Sequence, residues 1–375
     1  MKILQLTKFY WPVMGGIETV AWELTEGLNR AGYRADVLCA HQRHLTSREP
    51  FAGGYDVVRA ASLGMLLSTS MAPAMALELR RLSRGCDIIH LHMPDPMAAL
   101  ALWAVRPQAP LVVHWHSDVV RQRRAMKVYE PLQNWLLRRA DAIVATSQAY
   151  AEASGPLQAW RHKVSVIPIG ISDNRAAACS DKALAIRQRY RGRRIVFALG
   201  RMTYYKGFDV LIEAASALPE GCVVLIGGDG ELLEHYRSMV ARRGLAGKVI
   251  LLGHIAFNDL PSYFEACDVF CMPSTARSEA YGVAMVEAMV MGKPIVATDL
   301  QGSGVPWVNA DAYTGFNVPV GQHAPLAATL ARLLEDSALC QQLGAAARQR
   351  YEQQFSADLM TRKTIELYHR LQPAA

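Results

Sequence analysis

The chain begins Met1-Lys2-Ile3-Leu4-Gln5-Leu6, an apolar run that is typical of a buried strand. After one loop, Ile17–Gly32 places apolar residues at a helical period and closes on a glycine. Strand-like and helix-like segments then alternate to the end of the chain. Such alternation indicates parallel sheets with helices on both faces, connected by right-handed crossovers.

The alternating segments form two series, separated by a polar and weakly patterned stretch. The predicted fold class is therefore α/β, with two Rossmann-like, doubly wound parallel-sheet domains that face a cleft. We expect a first domain over 1–171, a linker over 172–193, a second domain over 194–354 and a C-terminal segment over 355–375.

Composition excludes several classes of protein. Of the 375 residues, 51% are hydrophobic and 19% are charged, which suits two packed cores and excludes a disordered chain. The apolar runs are far shorter than the ~20 residues that span a bilayer, and the first residues lack a signal-peptide pattern, so we expect a cytoplasmic protein.

The seven cysteines are odd in number and irregularly spaced, which argues against disulfides and against a zinc site. A formal charge of +7 favours an anionic partner, namely nucleic acid, a phosphate-bearing ligand or an anionic membrane.

Ligands of doubly wound sheets bind beyond the carboxyl ends of the strands, so the loops there are the first candidates for a site. Gly15 and Gly16 precede the first predicted helix, and Gly282 and Val283 begin a helix of the second series. Free backbone amides at these helix starts favour a bound anion. For Gly15 and Gly16, the alternative is a loop that only needs flexible residues.

Charged residues stand beside these loops. Arg201 and Lys206 follow a strand of the second series and suit a diphosphate, the first as a fork and the second as a point charge. Glu279 precedes the helix that begins near Gly282. Glu287 lies among apolar residues of that helix, where a carboxylate needs a partner such as a ligand hydroxyl. Each alone is explained equally well as a surface charge, but together they indicate a phosphate-bearing ligand.

In this order, the motifs resemble those of the retaining glycosyltransferases of the GT-B fold, the group 1 or family 4 enzymes. The resemblance extends over most of the chain. The matching residues are Gly15-Gly16, His116-Ser117-Asp118, Gly200-Arg201 with Lys206-Gly207, Gly227-Gly228-Asp229-Gly230-Glu231, and Glu279 followed by Glu287. The resemblance also implies that the last helix crosses back to the first domain.

Similar enzymes bind a nucleoside-diphosphate sugar mostly through the C-terminal domain. Carried over to this chain, the donor-binding residues are Gly15, Gly16, Arg201, Lys206, Gly228, Asp229, Gly282, Val283 and Glu287. The residues implied in catalysis are His116, Glu279, Arg201 and Lys206. Arg201 and Lys206 would stabilise the leaving diphosphate without a metal, so no metal or cofactor is expected. Glu279 and His116 would contact the transferred sugar, and no protein nucleophile is assigned.

The resemblance implies transfer of a sugar to a lipid-linked or polysaccharide acceptor in bacterial cell-surface glycan synthesis. Likeness of Gly15-Gly16-Ile17-Glu18 and of the 116–122 stretch to O-antigen mannosyltransferases favours GDP-mannose as the donor. The alternative enzyme is a UDP-sugar-dependent glucosyl- or N-acetylglucosaminyltransferase. A basic nucleic-acid-binding protein is a different class, disfavoured because the sequence shows no recognition-helix or base-stacking pattern.

Two pairs of histidines alternate on neighbouring predicted strands, and these are His90, His92, His114 and His116. Because alternate residues of a strand face the same way, two facing pairs have the arrangement for a zinc site. The favoured alternative is that His116 serves the donor and that the other three are packed or hydrogen-bonded.

The stretch 119–139 carries six basic residues against a single acidic one, Glu130. It is interpreted equally well in two ways. The first is a solvated helix face. The second is an amphipathic helix that holds the protein peripherally on the inner face of the cytoplasmic membrane. In the second case the residues at the lipid headgroups are Arg121, Arg123, Arg124 and Lys127.

Overall fold

The computed structural model describes residues 1–13, 15–66, 69–119, 123–175 and 180–372. The chain divides into two compact units. The first comprises Met1–Gly170 and the C-terminal segment that begins at Ala357, and the second comprises Ile171–Ser356. Each unit encloses buried apolar residues of its own.

The first unit is built on an eight-stranded sheet. Its strands, with a separate two-stranded hairpin (β5 and β6), are β1 (Lys2–Thr7), β2 (Arg34–Ala40), β3 (Ser47–Pro50), β4 (Asp56–Ala60), β5 (Met65–Leu66), β6 (Thr69–Ser70), β7 (Ile88–Met93), β8 (Leu111–Trp115), β9 (Ala142–Ala145) and β10 (Val164–Val166). The order in the large sheet is β10-β9-β8-β7-β1-β2-β4-β3, and all pairs are parallel except β3 with β4. The central strands are buried along almost their whole length, as is typical of a parallel sheet covered by helices on both faces.

The described part of the first unit also contains helices before the second unit begins. They are α1 (Gly16–Arg30), α2 (Ala74–Leu82), α3 (Pro96–Val105), α4 (Arg123–Arg139) and α5 (Gln148–Ala153), followed by a 3₁₀ segment over Gly155–Lys163. The start of α3 is specified locally, because the Asp95 carboxylate accepts hydrogen bonds from the amides of Met97 and Ala98.

The second unit contains a six-stranded parallel sheet. Its strands are β11 (Arg194–Leu199), β12 (Cys222–Gly227), β13 (Val249–Gly253), β14 (Val269–Met272), β15 (Ile295–Thr298) and β16 (Gly315–Val318), in the order β13-β12-β11-β14-β15-β16. The helices around it are α6 (Ser180–Arg189), α7 (Phe208–Ala215), α8 (Leu233–Arg242), α9 (Leu260–Ala266), α10 (Val283–Val290), α11 (Val305–Val308), α12 (His323–Glu335) and α13 (Ser337–Gln354). The predicted class, two doubly wound α/β domains, is confirmed.

The last helix, α14 (Ala357–Leu371), belongs to the first unit although it follows the second in sequence. It packs on α1, where Gly27 leaves the space that the Thr361 side chain fills. Its apolar face is buried, Leu367 included. The predicted crossing back to the first domain is therefore observed.

Two stretches differ from the sequence-based expectation. The segment 172–193, expected to be a linker, includes α6, which packs on α9 of the second unit. This helix is polar overall, and it is held by buried Ala183 and by an ion pair from Arg187 to Asp268 at 2.8 Å. Strands β3 and β4 were not expected, because β3 is a short polar edge strand and β4 has only five residues.

Two further properties bear on the expectations from composition. Every cysteine that the structure describes is unpaired, and five of these six are buried. None of the described helices has the length and hydrophobicity needed to cross a bilayer. Of the basic residues expected at lipid headgroups, Arg121 and the side chains of Arg123 and Arg124 lie outside the described part of the chain.

Candidate functional site

The strand order of the second unit reverses between β11 and β14, and this is where doubly wound sheets bind ligands. The loop after β11 carries Arg201 and Lys206, and the loop after β14 carries Glu279. Gly282 ends the second loop at the start of α10. The structure thus places the charged residues singled out in the sequence on two adjacent loops.

Glycines bring the backbones of these loops together. At Gly207 the φ angle is 65°, and a Cβ would overlap the carbonyl oxygen of Pro273. At Gly228, with φ of 131°, a Cβ would overlap the carbonyl oxygen of Gly200. Side chains are excluded at both positions, so the loops after β11, β12 and β14 pack backbone against backbone.

An ion pair joins the two charged loops. The Nζ atom of Lys206 donates a hydrogen bond of 2.6 Å to Oε2 of Glu279, and the Ser274 hydroxyl donates to the same oxygen at 3.2 Å. Only 13% of the Lys206 side chain and 11% of the Glu279 side chain are exposed. Burial by itself would lower the pKa of Lys206, but the charge of Glu279 outweighs it and the pKa lies above its ordinary value. The site therefore contains a fixed ammonium group beside a fixed carboxylate.

The loop that carries Glu279 is anchored on both sides by hydroxyl groups. Ser303 donates a hydrogen bond to the carbonyl oxygen of Glu279, and Thr298 donates one of 2.5 Å to the carbonyl oxygen of Ser274. All four residues are buried. Sequence analysis did not single out Ser274, Thr298 or Ser303, although Thr298 ends a strand and Ser274 closely follows one.

Arg201 differs from Lys206 in its surroundings. Its side chain is exposed, and it makes no hydrogen bond or ion pair with any residue that the structure describes. Its charge acts to lower the pKa of Lys206, so the two cations influence one another. Arg201 has no structural task in this loop, and its guanidinium is accessible to an anion from outside the chain.

The start of α10 has the backbone geometry that the sequence suggested. Gly282 has a φ angle of 89°, and a Cβ there would press on Met285 and on the sulfur of Met272. Val283 is the first helical residue, so its amide has no partner within the helix. Glu287 is half-buried one turn further along α10.

The loop after β12 has a different geometry. The carbonyl oxygen of Asp229 accepts a hydrogen bond of 2.8 Å from the amide of Met202, and the Asp229 side chain is exposed. The Glu231 carboxylate accepts a hydrogen bond of 3.1 Å from the Thr203 hydroxyl. Gly228 and Asp229 therefore lie next to the loop that carries Arg201.

Gly15 and Gly16 lie in the first unit, where Gly15 caps α1 in an extended conformation. The carboxylate of Glu18 occupies the position that a Cβ at Gly15 would need, whereas nothing lies near a Cβ at Gly16. Glu18 is thus placed in the first turn of α1, where a negative charge is favourable. A protein carboxylate therefore lies beside Gly15 at this helix start, which sequence analysis did not foresee.

The four histidines come together at the centre of the first unit. We refer to His90, His92, His114 and His116 as the histidine cluster. His92 and His114 are direct neighbours across β7 and β8. The rings of His114 and His116 stack with centroids 4.1 Å apart. Burial lowers the pKa of each of the four, so all are neutral at pH 7.

Both ring nitrogens of His90 and of His92 take part in hydrogen bonds within the protein. Candidate ligand nitrogens of His90, His92 and His114 lie within 4.8 Å of one another. However, both nitrogens of His90 are hydrogen-bonded, to His114 and to Tyr368, and both nitrogens of His92 are hydrogen-bonded as well. A metal ion would have to replace a hydrogen bond at each of these two rings.

Asp118, part of the motif that follows β8, has a local structural role. Its Oδ1 atom accepts hydrogen bonds from Trp115 at 2.9 Å and from Ser154 at 2.6 Å, and its amide donates to the hydroxyl of Tyr150 at 2.6 Å. These contacts hold the chain directly after His116.

Comparison with known proteins identifies the family. A model of glycosyl transferases group 1 matches residues 180–350, and a model of glycosyltransferase family 4 matches residues 14–175. The chain is 31% identical over 371 residues to O-antigen chain mannosyltransferase C of Escherichia coli, covering 98% of each chain. The chain therefore belongs to the group 1 and family 4 glycosyltransferases, and it is a glycosyltransferase of the GT-B fold.

Other relatives have different names. D-rhamnosyltransferase WbpZ of Pseudomonas aeruginosa is 31% identical, covering 95% of this chain and 93% of its own. A GDP-mannose-dependent α-(1-6)-phosphatidylinositol monomannoside mannosyltransferase of Mycobacterium tuberculosis is 27% identical, covering 97% of each. Among solved structures, Anabaena Alr3699/HepE in complex with UDP-glucose has a TM-score of 0.79 at 24% identity and covers 99% of this chain and 100% of that one, which supports the fold.

Proposed function

We propose that the chain transfers mannose from GDP-mannose, with retention of the anomeric configuration, to a lipid-linked or polysaccharide acceptor in bacterial cell-surface glycan synthesis. The observation that carries this proposal is the pair of Lys206 and Glu279, joined at 2.6 Å where the strand order reverses. A diphosphate needs a fixed cation, and a sugar hydroxyl needs a fixed acceptor. The pair offers one of each, side by side.

In the proposed reaction, the bond between the sugar C1 and the diphosphate oxygen breaks, and a bond from C1 to the acceptor oxygen forms on the same face. The acceptor proton passes to the oxygen of the departing diphosphate. Arg201 and Lys206 stabilise the charge that grows on this leaving group. Glu279 and His116 bind hydroxyls of the transferred sugar, Glu287 binds the ribose, and the amide of Val283 faces a phosphate.

The choice of GDP-mannose is supported by the names of two relatives, an O-antigen mannosyltransferase and a GDP-mannose-dependent mannosyltransferase. The alternative is a UDP-sugar, supported by the structural neighbour bound to UDP-glucose. Thermal denaturation with GDP-mannose, UDP-glucose and UDP-N-acetylglucosamine distinguishes the two, because a ligand that binds the folded protein raises its unfolding temperature, and a tighter ligand raises it more at the same concentration. Stabilisation by UDP-sugars alone would exclude GDP-mannose.

Independence from metal belongs to the same proposal, since two side-chain cations are available to the diphosphate. Incubation with EDTA is expected to leave the transfer rate unchanged. Loss of activity in EDTA, restored by zinc or manganese, would contradict it. The anomeric configuration of the product, measured by NMR against that of the donor, tests retention directly.

We also propose that the protein associates peripherally with anionic membrane through α4. Lys127, Val128 and Arg138 are exposed on this helix, while Leu136 and Leu137 of its opposite face are buried. Each basic residue near an anionic bilayer contributes about 1 kcal/mol. Co-sedimentation with vesicles of graded anionic content tests this, with a variant in which Arg121, Arg123, Arg124 and Lys127 are all replaced by Gln. Equal binding by that variant would show that α4 is an ordinary solvated helix.

A further inference from the structure

The histidine cluster contains a directed chain of hydrogen bonds that ends at His116. Gln5 lies in the middle of β1, where its neighbours are apolar, and its Oε1 atom is 3.0 Å from Nε2 of His92. The other nitrogen of His92, Nδ1, is 2.9 Å from Nε2 of His116. Gln5 and His92 are completely or almost completely buried.

The positions of the protons in this chain follow from its first member. An amide oxygen only accepts hydrogen bonds, so Nε2 of His92 carries a proton. A neutral imidazole has a single N–H, so Nδ1 of His92 is an acceptor. The bond to His116 must then be donated by Nε2 of His116. By the same rule, Nδ1 of His116 has no proton.

The neutral state assumed in this argument is favoured by the surroundings. Burial, together with the neighbouring rings, lowers the pKa of His92 and of His116 well below the ordinary value. No carboxylate is hydrogen-bonded to either ring in the described part of the chain, and the stacked partner of both, His114, is itself neutral.

We propose that Gln5 and His92 are positioning residues for glycosyl transfer, which hold His116 in the Nε2–H tautomer and so make its Nδ1 atom a hydrogen-bond acceptor for a hydroxyl of the transferred sugar. His116 suits this role by its place, because it directly follows β8 and is the most exposed member of the cluster, at 5% against 0–1% for the others. The role at the sugar rests on the proposed function, whereas the tautomer is a property of the unliganded protein.

A second chain of hydrogen bonds in the cluster begins on the last helix. The hydroxyl of Tyr368 on α14 is 2.7 Å from Nδ1 of His90, and Nε2 of His90 is 3.2 Å from Nδ1 of His114. This chain stops at Nε2 of His114, which is buried and has no hydrogen-bond partner among the described residues. It ties the last helix to the sheet and does not include His116. Tyr368 also interacts with the side chain of Gln5, so a change at Tyr368 affects the first chain as well.

The direct test is NMR of the whole protein labelled with ¹⁵N in the histidine rings. The ¹⁵N shifts of a ring distinguish the Nε2–H tautomer, the Nδ1–H tautomer and imidazolium, and a coupling across the N–H···N bond identifies His92 and His116 as partners. We expect both rings to be Nε2–H from pH 6 to pH 8, with and without EDTA. A proton on Nδ1 of His116, or a change on chelation, would overturn the proposal.

Variants connect the tautomer to catalysis. His92→Phe puts a phenyl ring in place of the imidazole and so removes Nδ1, the acceptor for His116. His92→Asn instead places an amide oxygen close to the position of Nδ1. We expect His92→Phe to lower kcat at least tenfold with donor KM within about threefold, and His92→Asn to restore most of the loss, because a hydroxyl contact of the reacting sugar strengthens in the transition state. Tyr55→Phe is the control, because Tyr55 is a buried and hydrogen-bonded tyrosine of the first unit outside the cluster, and we expect it to leave kcat and the His116 tautomer unchanged.

The outcomes separate this proposal from the proposed function. If the NMR spectra show the predicted tautomer but GDP-mannose is not a substrate, the donor assignment fails and the positioning argument is tested with the donor that is accepted. If His92→Phe folds, shows a mixture of His116 tautomers and retains full kcat, the positioning role is refuted while glycosyl transfer stands. If His92→Phe does not fold, the tautomer of the wild-type protein still decides the hydrogen-bond argument.

Discussion

Lys206 and Glu279 are 73 residues apart in sequence and form one buried ion pair, with Nζ 2.6 Å from Oε2. They follow β11 and β14, the two strands between which the sheet order reverses. A charge buried to this extent is stable only when its partner is present, since its lost hydration is not otherwise replaced. The pair thus stabilises the second unit at the place where we propose that the donor binds.

The first prediction concerns the stability of this pair. We expect Lys206→Met to reduce the free energy of unfolding by about 3 kcal/mol, because Glu279 remains buried without its main partner. Lys182→Met is a matched control, since Lys182 also pairs with a carboxylate, that of Asp259, but both side chains are exposed. Its expected effect is below about 1 kcal/mol. Urea denaturation measures the free energy of unfolding of both variants. Equal losses would show that the buried pair of Lys206 contributes no more to stability than the exposed pair of Lys182.

For Arg201, we expect a substitution to affect activity and not stability. Because its side chain has no hydrogen-bonded or ionic partner in the described chain, we expect Arg201→Ala to leave the unfolding temperature unchanged. Loss of its proposed contact with the departing diphosphate should remove about 2–4 kcal/mol of transition-state stabilisation, and kcat/KM should fall accordingly. Arg237→Ala, in an exposed ion pair on α8, is the control and should leave kcat/KM unchanged. Wild-type turnover by Arg201→Ala would refute the diphosphate assignment.

Backbone packing at Gly228 leads to a third prediction. An alanine there would carry a Cβ into the carbonyl oxygen of Gly200 and would hold a φ angle of 131°, which L side chains rarely adopt. We expect Gly228→Ala to separate the loops after β11 and β12, with a loss of several-fold in donor affinity and a lower unfolding temperature. Gly221→Ala is the control, because nothing lies near its Cβ position. Unchanged donor affinity in Gly228→Ala would remove this loop from the site.

The fold followed from apolar patterning where apolar residues are regularly spaced. Met1–Leu6 and Ile17–Gly32 are predicted within two residues of the observed β1 and α1, because the first is an apolar run and the second has apolar residues at a helical period. Helix α6 was missed, since its stability comes from a contact with α9 and an ion pair to Asp268, neither of which is visible in its own sequence. Elements stabilised by partners distant in sequence do not show in local periodicity.

For the candidate site, residue types at strand ends led to Arg201, Lys206 and Glu279, because topology places those loops beside one another. Their different surroundings were not predictable, since an ion pair depends on side-chain geometry that spacing does not determine. The partner of Gln5 was also not predictable from the sequence. A single polar residue within Ile3-Leu4-Gln5-Leu6 was a usable signal, but its partner His92 lies 87 residues further on and is identified only by the pairing of β1 with β7.

The histidine cluster makes stability depend on pH in the acid range. The pKa of each of its four members is lowered in the folded state, that of His114 to about 3, mainly because burial disfavours the charged form. In the unfolded chain a histidine binds a proton near its ordinary pKa of about 6.5. Below that pH the unfolded state therefore holds more protons than the folded state, and stability falls as the pH falls.

We accordingly expect the free energy of unfolding to be constant above about pH 7 and to fall below about pH 6.5, by as much as ~1.4 kcal/mol per pH unit for each histidine that stays neutral when folded. Urea denaturation between pH 7.5 and pH 5 measures this slope. His114→Phe removes one titrating ring from the core and should reduce the slope by about one quarter of the contribution of the cluster. His44→Gln, at an exposed position, should leave it unchanged. A slope that is the same in wild type and His114→Phe would mean that His114 is protonated in the folded protein, because only a ring that stays neutral in the core can separate the two states by a proton.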